Sequence, residues 1–402
     1  MDITEPYYKK TIQYTIRNYS FNFKVSQDLF SSFSVDHGTQ RLLRSLLFEK
    51  ITTFKKALDL GSGYGTIGIF LKKICPKTEI QMVDRDALAV AYAKENVKLN
   101  EIAEGVRVYG SLGYDNVKDT NFDLIVSNIP AKVGEHVLTH ILKDARFHLV
   151  RNGIVAIVVI DAINDYIYNE LTTDETVKIL YHKAWPGHLV YHYVFTEEAY
   201  SQKDRLASAF ERGEYKRQKN TFSFQGKQYT LETTYHLPEF DQLSYDSRLL
   251  LVRLAKIYDP TDTVLVFNPG QGYIPLAVMK QFTPKKLFIV DRDLQALTIS
   301  QENLVENGYS SDMFSLHHQV GISLNATHVS AIIGVLPGKQ EIAVYKLFAG
   351  QILSLLGPKG YVVLSGSSTV ITRFLRLIPK KLQGPVERVK NKGRSVIVLR
   401  KR

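Results

Sequence analysis

KALDLGSGYGTIGIFL, residues 56–71, returns 207 positions later as TVLVFNPGQGYIPLAV, residues 263–278. Gly63, Gly65 and Ile67 fall on Gly270, Gly272 and Ile274. The same offset sets Val83-Asp84-Arg85-Asp86 on Val290-Asp291-Arg292-Asp293, Glu95-Asn96 on Glu302-Asn303, Pro130 on Pro337, Lys132 on Lys339 and Gly153 on Gly360. One register, held without a gap from about Phe33 to Gly153, means two copies of one ancestral domain. A period this long is far beyond the roughly 20–50 residues of a solenoid repeat.

Each copy alternates strand and helix. In the first, ALDL is an apolar strand entering a glycine turn, TIGIFLKKI has helical spacing, EIQMVD is a strand and ALAVAYAKENVKLN an amphipathic helix. FDLIVSN is the next strand, VLTHILKDARFHLV a helix, and IVAIVVI a strand after Asn152-Gly153. This alternation predicts an α/β fold, in each copy a mostly parallel sheet with helices on both faces. Ligands then belong at the carboxyl ends of the strands. Residues 1 to about 30 and about 195 to 240 precede the copies equivalently, the latter reading as strands around a basic turn.

At 402 residues the chain has room for about two domains. The 51 Lys and Arg outnumber 40 Asp and Glu, for a net charge of +11, which favours a polyanionic partner. Nearly all of that excess lies in Ile371–Arg402, where Glu387 is the lone acid; the plain alternative is a solvated basic strand pair and helix face. A single cysteine, Cys75, rules out an internal disulfide and fits a reducing compartment. No stretch approaches about 18 uninterrupted apolar residues, and no basic-then-apolar leader follows Met1. A cytoplasmic protein without membrane or metal partners is the expectation, and a monomer.

DLGSGYGTIG sets Asp59 at a strand end with Gly61, Gly63 and Gly65 in the turn, and Asp84 ends the next strand. Glycines there allow positive φ and close backbone approach to a ligand. An acid immediately before the turn disfavours pyrophosphate and suits a cationic group, while a carboxylate ending the second strand can take both hydroxyls of a ribose. A tight turn with two surface acids is the plain alternative.

This layout resembles the class I S-adenosylmethionine-dependent methyltransferases. The resemblance implies two tandem Rossmann-like methyltransferase domains and S-adenosylmethionine as cofactor. It also implies that Gly61, Gly63 and Gly65 line the methionine end, that Asp59 holds its ammonium and that Asp84 binds the ribose. FDLIVSNIPAKVGE, residues 122–135, narrows it. Nitrogen methyltransferases commonly carry Asn-Pro-Pro and an aromatic or apolar residue at this strand end. Two acceptor carbonyls there can orient a delocalised amine whose lone pair is a poor nucleophile, and a proline fixes the backbone. Here Asn128-Ile129-Pro130-Ala131 keeps the amide and the second proline, but not the first proline or the large stacking residue. Phe33, Ser34, Asp36, Gly38, Thr39, Leu42 and Leu43 ahead of the glycine turn make the whole similar to the RsmC/RlmG type of ribosomal RNA guanine-N2 methyltransferase. That implies Asn128 and Pro130 as catalytic residues, Asn128, Asp36 and Thr39 beside the cofactor, and Lys132 against RNA. Leu112 stands where the family usually places an acid near the adenine amine.

Bacterial two-domain members keep the active copy at the carboxyl end; here the order is inverted. Across the offset Asp59 becomes Val266, Gly61 Asn268, Gly68 Pro275, Ser127 Gly334, Asn128 Val335 and Asp36 Leu243, while Asp84 keeps Asp291. The expectation is therefore a catalytic domain over 1–197 and a degenerate, RNA-gripping or structural domain over 198–402. Arg373, Arg376, Lys380, Lys381, Lys390 and Arg394 are its phosphate-facing residues, with ribosomal RNA or a ribosomal subunit the partner. Two other readings stay open: methylation of a protein side chain or small molecule, and a non-catalytic RNA-binding or ribosome-assembly factor. Glu135, His136 and His140 have the spacing of a metal pair without a third ligand, so a partly buried helix face is the reading there. Cys75 reads as a small residue at a helix end, and Trp185-Pro186-Gly187 as the turn before a final strand pair matching Lys392-Gly393.

Overall fold

A computed structural model describes residues 3–196, 207–257, 261–324, 328–338, 340–382 and 387–401. Lys339 and the expected boundary at 197/198 lie outside the described residues. The chain forms two compact units, Tyr8–Tyr215 and Lys216–Arg402 with Met1–Tyr7.

The first unit opens with a hairpin, β1 (Tyr8–Ile16) and β2 (Tyr19–Ser26), then α1 (His37–Phe48). Next come β3 (Lys56–Leu60), α2 (Thr66–Ile74), β4 (Glu79–Asp84), α3 (Ala87–Leu99), β5 (Val106–Gly110) and β6 (Phe122–Asn128). The unit closes with α4 (Glu135–Lys143), β7 (Leu149–Ile160), α5 (Asp161–Thr173), β8 (Val177–Trp185) and β9 (His188–Phe195). Its seven-stranded sheet runs β5-β4-β3-β6-β7-β9-β8, all strands pointing one way except β9, which is antiparallel to both its neighbours. Central β3 buries Ala57, Leu58, Asp59 and Leu60, as a strand covered on both faces must. On α3, Leu88, Tyr92, Ala93, Asn96 and Val97 are buried, the period expected of a helix laid on a sheet.

The second unit repeats this. A hairpin, β10 (Lys216–Phe224) and β11 (Lys227–Thr234), precedes β12 (Thr263–Phe267), β13 (Lys286–Asp291), β14 (Phe314–His318), β15 (Val329–Val335), β16 (Leu356–Ser367), β17 (Glu387–Asn391) and β18 (Arg394–Arg400). The order β14-β13-β12-β15-β16-β18-β17 is that of the first sheet. Strands β3, β4, β6 and β7 sit on β12, β13, β15 and β16 at the offset read from the sequence. Asp86 and Asp293 even cap equivalent helices, accepting from Leu88 N and Gln295 N.

An unforeseen staple also repeats. Buried Asn96 accepts from Lys24 N (2.7 Å) and donates to Lys24 O and Tyr64 O, joining hairpin, glycine turn and α3. Asn303 does the same with Glu232 and Gln271. Its signal was present, since Glu-Asn recurs in register.

Candidate active site

Strand ends β3, β4 and β6 meet at the switch point of the sheet, where β3 and β6 run side by side and crossover helices diverge. Gly61, Gly63 and Gly65 all have left-handed φ, 73°, 55° and 94°. A Cβ on Gly61 or Gly63 would meet nothing within 4 Å, so backbone conformation, not crowding, requires glycine there. Gly61 N and Ser62 N both donate to Val83 O at 2.9 Å, and Gly63 N donates to Asp84 Oδ2 at 2.9 Å. The second aspartate thus braces the turn it faces.

Asp59 is fully buried. Its Oδ2 accepts from Gly68 N at 2.7 Å, while Oδ1 has no hydrogen-bond partner among the described residues. Burial pushes its carboxyl up to about 7, against the Gly68 hydrogen bond and with a further push from Asp84. Asp84 rises to about 6, mainly through the protein packed around it. Two carboxylates held this far up, one with an orphaned oxygen, are a site short of positive charge. A cofactor carrying an ammonium and a sulfonium fits: Asp59 would hold the ammonium, with Asp84 left to the ribose.

Asn128 ends β6. Its Nδ2 donates to Asp36 Oδ2 and to Thr39 Oγ1, both at 3.0 Å. A carboxylate only accepts, so the amide nitrogen must face Asp36 and the carbonyl oxygen must face away. Asp36 is itself fixed as the N-cap of α1, taking Thr39 N at 3.0 Å on the same oxygen. Behind the amide, Ser127 Oγ donates to Leu60 O at 2.8 Å and Ile129 N to Val158 O at 2.9 Å. Asp36, Thr39 and Asn128, up to 92 residues apart in sequence, therefore form one constellation. Pro130 and Lys132 are exposed in the loop beyond it. Ile129 is 3% exposed and its side chain packs inward, so that side chain offers no stacking face to a substrate.

Near the end of β5, Ser111 Oγ donates to Gly113 O and Leu112 N to Asn116 Oδ1. The nearest carboxylate in sequence, Asp115, accepts from Ala209 N and Phe210 N. It straps the segment 207–215 to the unit, a pairing no local pattern announces. Buried His140 bonds Asp144 at 2.7 Å while His136 is exposed, and the described residues hold no cluster of three or more metal-ligating side chains.

At the equivalent point of the second unit, Asn268 adopts φ 50° and its side chain donates to Val335 O at 2.7 Å, tying β12 to β15. A cavity of about 50 Å³ there is walled by Tyr7, Phe267, Asn268 and Asp291. Arg373, Arg376, Lys380, Lys381 and Lys390 are exposed, whereas Arg394 is half-buried and donates to Asp246 at 2.8 Å.

A strand order with one reversed strand next to the edge, a glycine turn between two strand-end aspartates and an asparagine ending the fourth parallel strand define a class I methyltransferase domain. The methyltransferase small domain family matches residues 20–173. A Bacillus subtilis protein, YbxB, described as uncharacterized, is 33% identical over 152 residues, 38% of this chain and 74% of that protein. Ribosomal RNA small subunit methyltransferase C of Haemophilus influenzae is 36% identical over 134 residues, 32% of this chain and 39% of the relative, so that match spans about two-fifths of the relative's length. Over the whole of both chains, the fold is similar to T. thermophilus 16S rRNA N2 G1207 methyltransferase (RsmC), solved with AdoMet and guanosine, at a TM-score of 0.64 and 16% identity. The chain belongs to the class I S-adenosylmethionine-dependent methyltransferases of the RsmC/RlmG type, a family whose cofactor is S-adenosylmethionine. Among the described residues no helix is long and apolar enough to cross a membrane.

Proposed function

We propose that the first unit transfers a methyl group from S-adenosylmethionine to the exocyclic N2 of a guanine in ribosomal RNA. The observation that carries this reading is the Asn128 amide, whose nitrogen is tied down by Asp36 and Thr39 so that its carbonyl oxygen is left to accept.

The bound cofactor supplies an electrophilic methyl on a sulfonium. The chain's own residues supply position. Gly61, Gly63 and Gly65 admit the methionine end, Asp59 takes its ammonium on the orphaned Oδ1, and Asp84 receives the ribose hydroxyls. Asn128 Oδ1 and the carbonyl of Ile129 accept the two N–H bonds of the target amine, which turns its lone pair toward the methyl. Pro130 restrains the direction of that second carbonyl. In such a transfer the electrons of the broken C–S bond would stay on sulfur and the amine's surplus proton would leave to water.

Exposed Lys132, Arg373, Arg376, Lys380, Lys381 and Lys390 suit phosphate contacts on ribosomal RNA or a ribosomal subunit. A ribosomal substrate would place the protein in the cytoplasm. The second unit carries Val335 where the first has Asn128, which supports a gripping role for it rather than a chemical one. Nucleosides from ribosomal RNA of a deletion strain and its parent, compared by mass spectrometry, test the reading. Loss of one N2-methylguanosine is expected. An unchanged profile, with tritiated methyl entering protein instead, refutes it.

A further inference from the structure

A base presented to Asn128 needs a face to stack on, and the usual position cannot provide it: Ile129 is turned inward and Ala131 is a single methyl. Three residues before Asp36, Phe33 stands 72% exposed, with Phe30 at 73% in the same loop. That loop is fixed, not free. Ser31 Oγ donates to Ser34 O at 2.6 Å, Gln40 Nε2 to Val35 O at 2.8 Å, and the Ser31 side chain meets the hydroxyl of Tyr64 in the glycine turn. The phenylalanines are thereby tied both to the Asn128 constellation and to the cofactor turn.

The β1 strand brings charge to the same place. Lys9 Nζ lies 3.3 Å from the centroid of the Phe33 ring and donates to Ser32 Oγ at 3.2 Å; Lys10 Nζ lies 5.2 Å from that centroid. Among the described residues no carboxylate is paired with either lysine. An exposed ring bordered by two such ammonium groups matches the way single-stranded nucleic acid is held, base on aromatic face and phosphate on cation. A peptide acceptor gains little from such a ring.

We propose that Phe33 is the stacking face for the RNA base handed to Asn128, and that Lys9 and Lys10 hold the adjoining phosphates. This rests on the reading of Asn128 as the orienting amide, and the test separates the two. A single-stranded oligoribonucleotide carrying 2-aminopurine is titrated into the full-length protein, and its fluorescence and affinity are read beside tritiated methyl transfer into RNA. Stacking contributes roughly tenfold to a hundredfold in affinity per base. Phe33→Ala should lose the fluorescence quench and that much affinity, and methyl transfer should fall with them. Phe33→Trp should restore all three, with S-adenosylmethionine affinity unchanged throughout. Lys9→Ala should flatten the dependence of log affinity on log salt by about 0.7, as loss of one phosphate contact on a single strand does. If Phe33→Ala binds, quenches and methylates RNA like the parent, the stacking proposal is wrong and Asn128 stands. If the parent protein neither binds nor methylates RNA and labels protein instead, both readings fall together.

Discussion

Replacing Asp36 by alanine separates orientation from cofactor binding. Its Oδ2 receives Thr39 N as the cap of α1 and Asn128 Nδ2 as the anchor of the amide, each at 3.0 Å. Loss of the cap costs about 0.5–2 kcal/mol of stability, modest against the roughly 5–15 kcal/mol of a folded domain, so the variant should fold. A hydrogen bond to a charged acceptor contributes about 1.5–3 kcal/mol, and that sum no longer restrains the amide once Asp36 is gone. Thr39 Oγ1 remains, but a hydroxyl both donates and accepts, so it tolerates the flipped amide that presents nitrogen to the substrate. Converted at about 1.4 kcal/mol per tenfold, the expected fall in kcat is about 10-fold to 150-fold. The assay is tritiated methyl transfer at saturating S-adenosylmethionine, with cofactor affinity by calorimetry. Unchanged cofactor affinity with reduced kcat is expected. Full kcat with weakened cofactor binding would refute the positioning argument and make Asp36 a cofactor ligand.

Three further outcomes follow from the same geometry. Asp59 and Asp84 have folded-state values of about 7 and 6, above those of the unfolded chain, so the cofactor-free protein holds protons that the unfolded chain has released. Its stability should therefore fall as pH rises from about 4 through 7, whereas S-adenosylmethionine, which needs both groups charged, should bind more weakly as pH drops below 7. Calorimetry between pH 5.5 and 8 checks this, and Asp59→Asn should flatten the low-pH loss. Asn96→Ala removes three hydrogen bonds in a fully buried position and should cost about 3–5 kcal/mol in denaturant unfolding; a cost below about 1 kcal/mol would show that the staple is dispensable. Lys380→Glu with Lys381→Glu should weaken ribosomal RNA binding at low salt and reduce its salt dependence, whereas substituting Arg394, already paired with Asp246, should act on stability first.

The architecture was legible because a duplication writes each element twice. Two of the turn glycines, the aspartate pair 84 and 291 and the capping aspartates 86 and 293 recur in register, and the strands lie where the pattern placed them. Asp36, Thr39 and Asn128 were legible as chemistry-bearing types, but not as a bonded set, because what joins them is the packing of α1 over the end of β6. The strap at Asp115 was invisible for the same reason: its partners lie 94 and 95 residues away, on a segment with no periodic signature. The pairing of Arg394 with Asp246 spans 148 residues and likewise shows only in three dimensions, where a basic run in the sequence had suggested phosphate.

The central claim is that the Asn128 carbonyl, in the first unit, orients the acceptor nitrogen. Single-turnover methyl transfer into ribosomal RNA by Asn128→Ala, with S-adenosylmethionine affinity measured on the same sample, tests it most directly. Parental cofactor affinity with transfer reduced at least a hundredfold, about 2.7 kcal/mol of lost transition-state stabilisation, is the predicted result. Transfer at the parental rate would contradict the account.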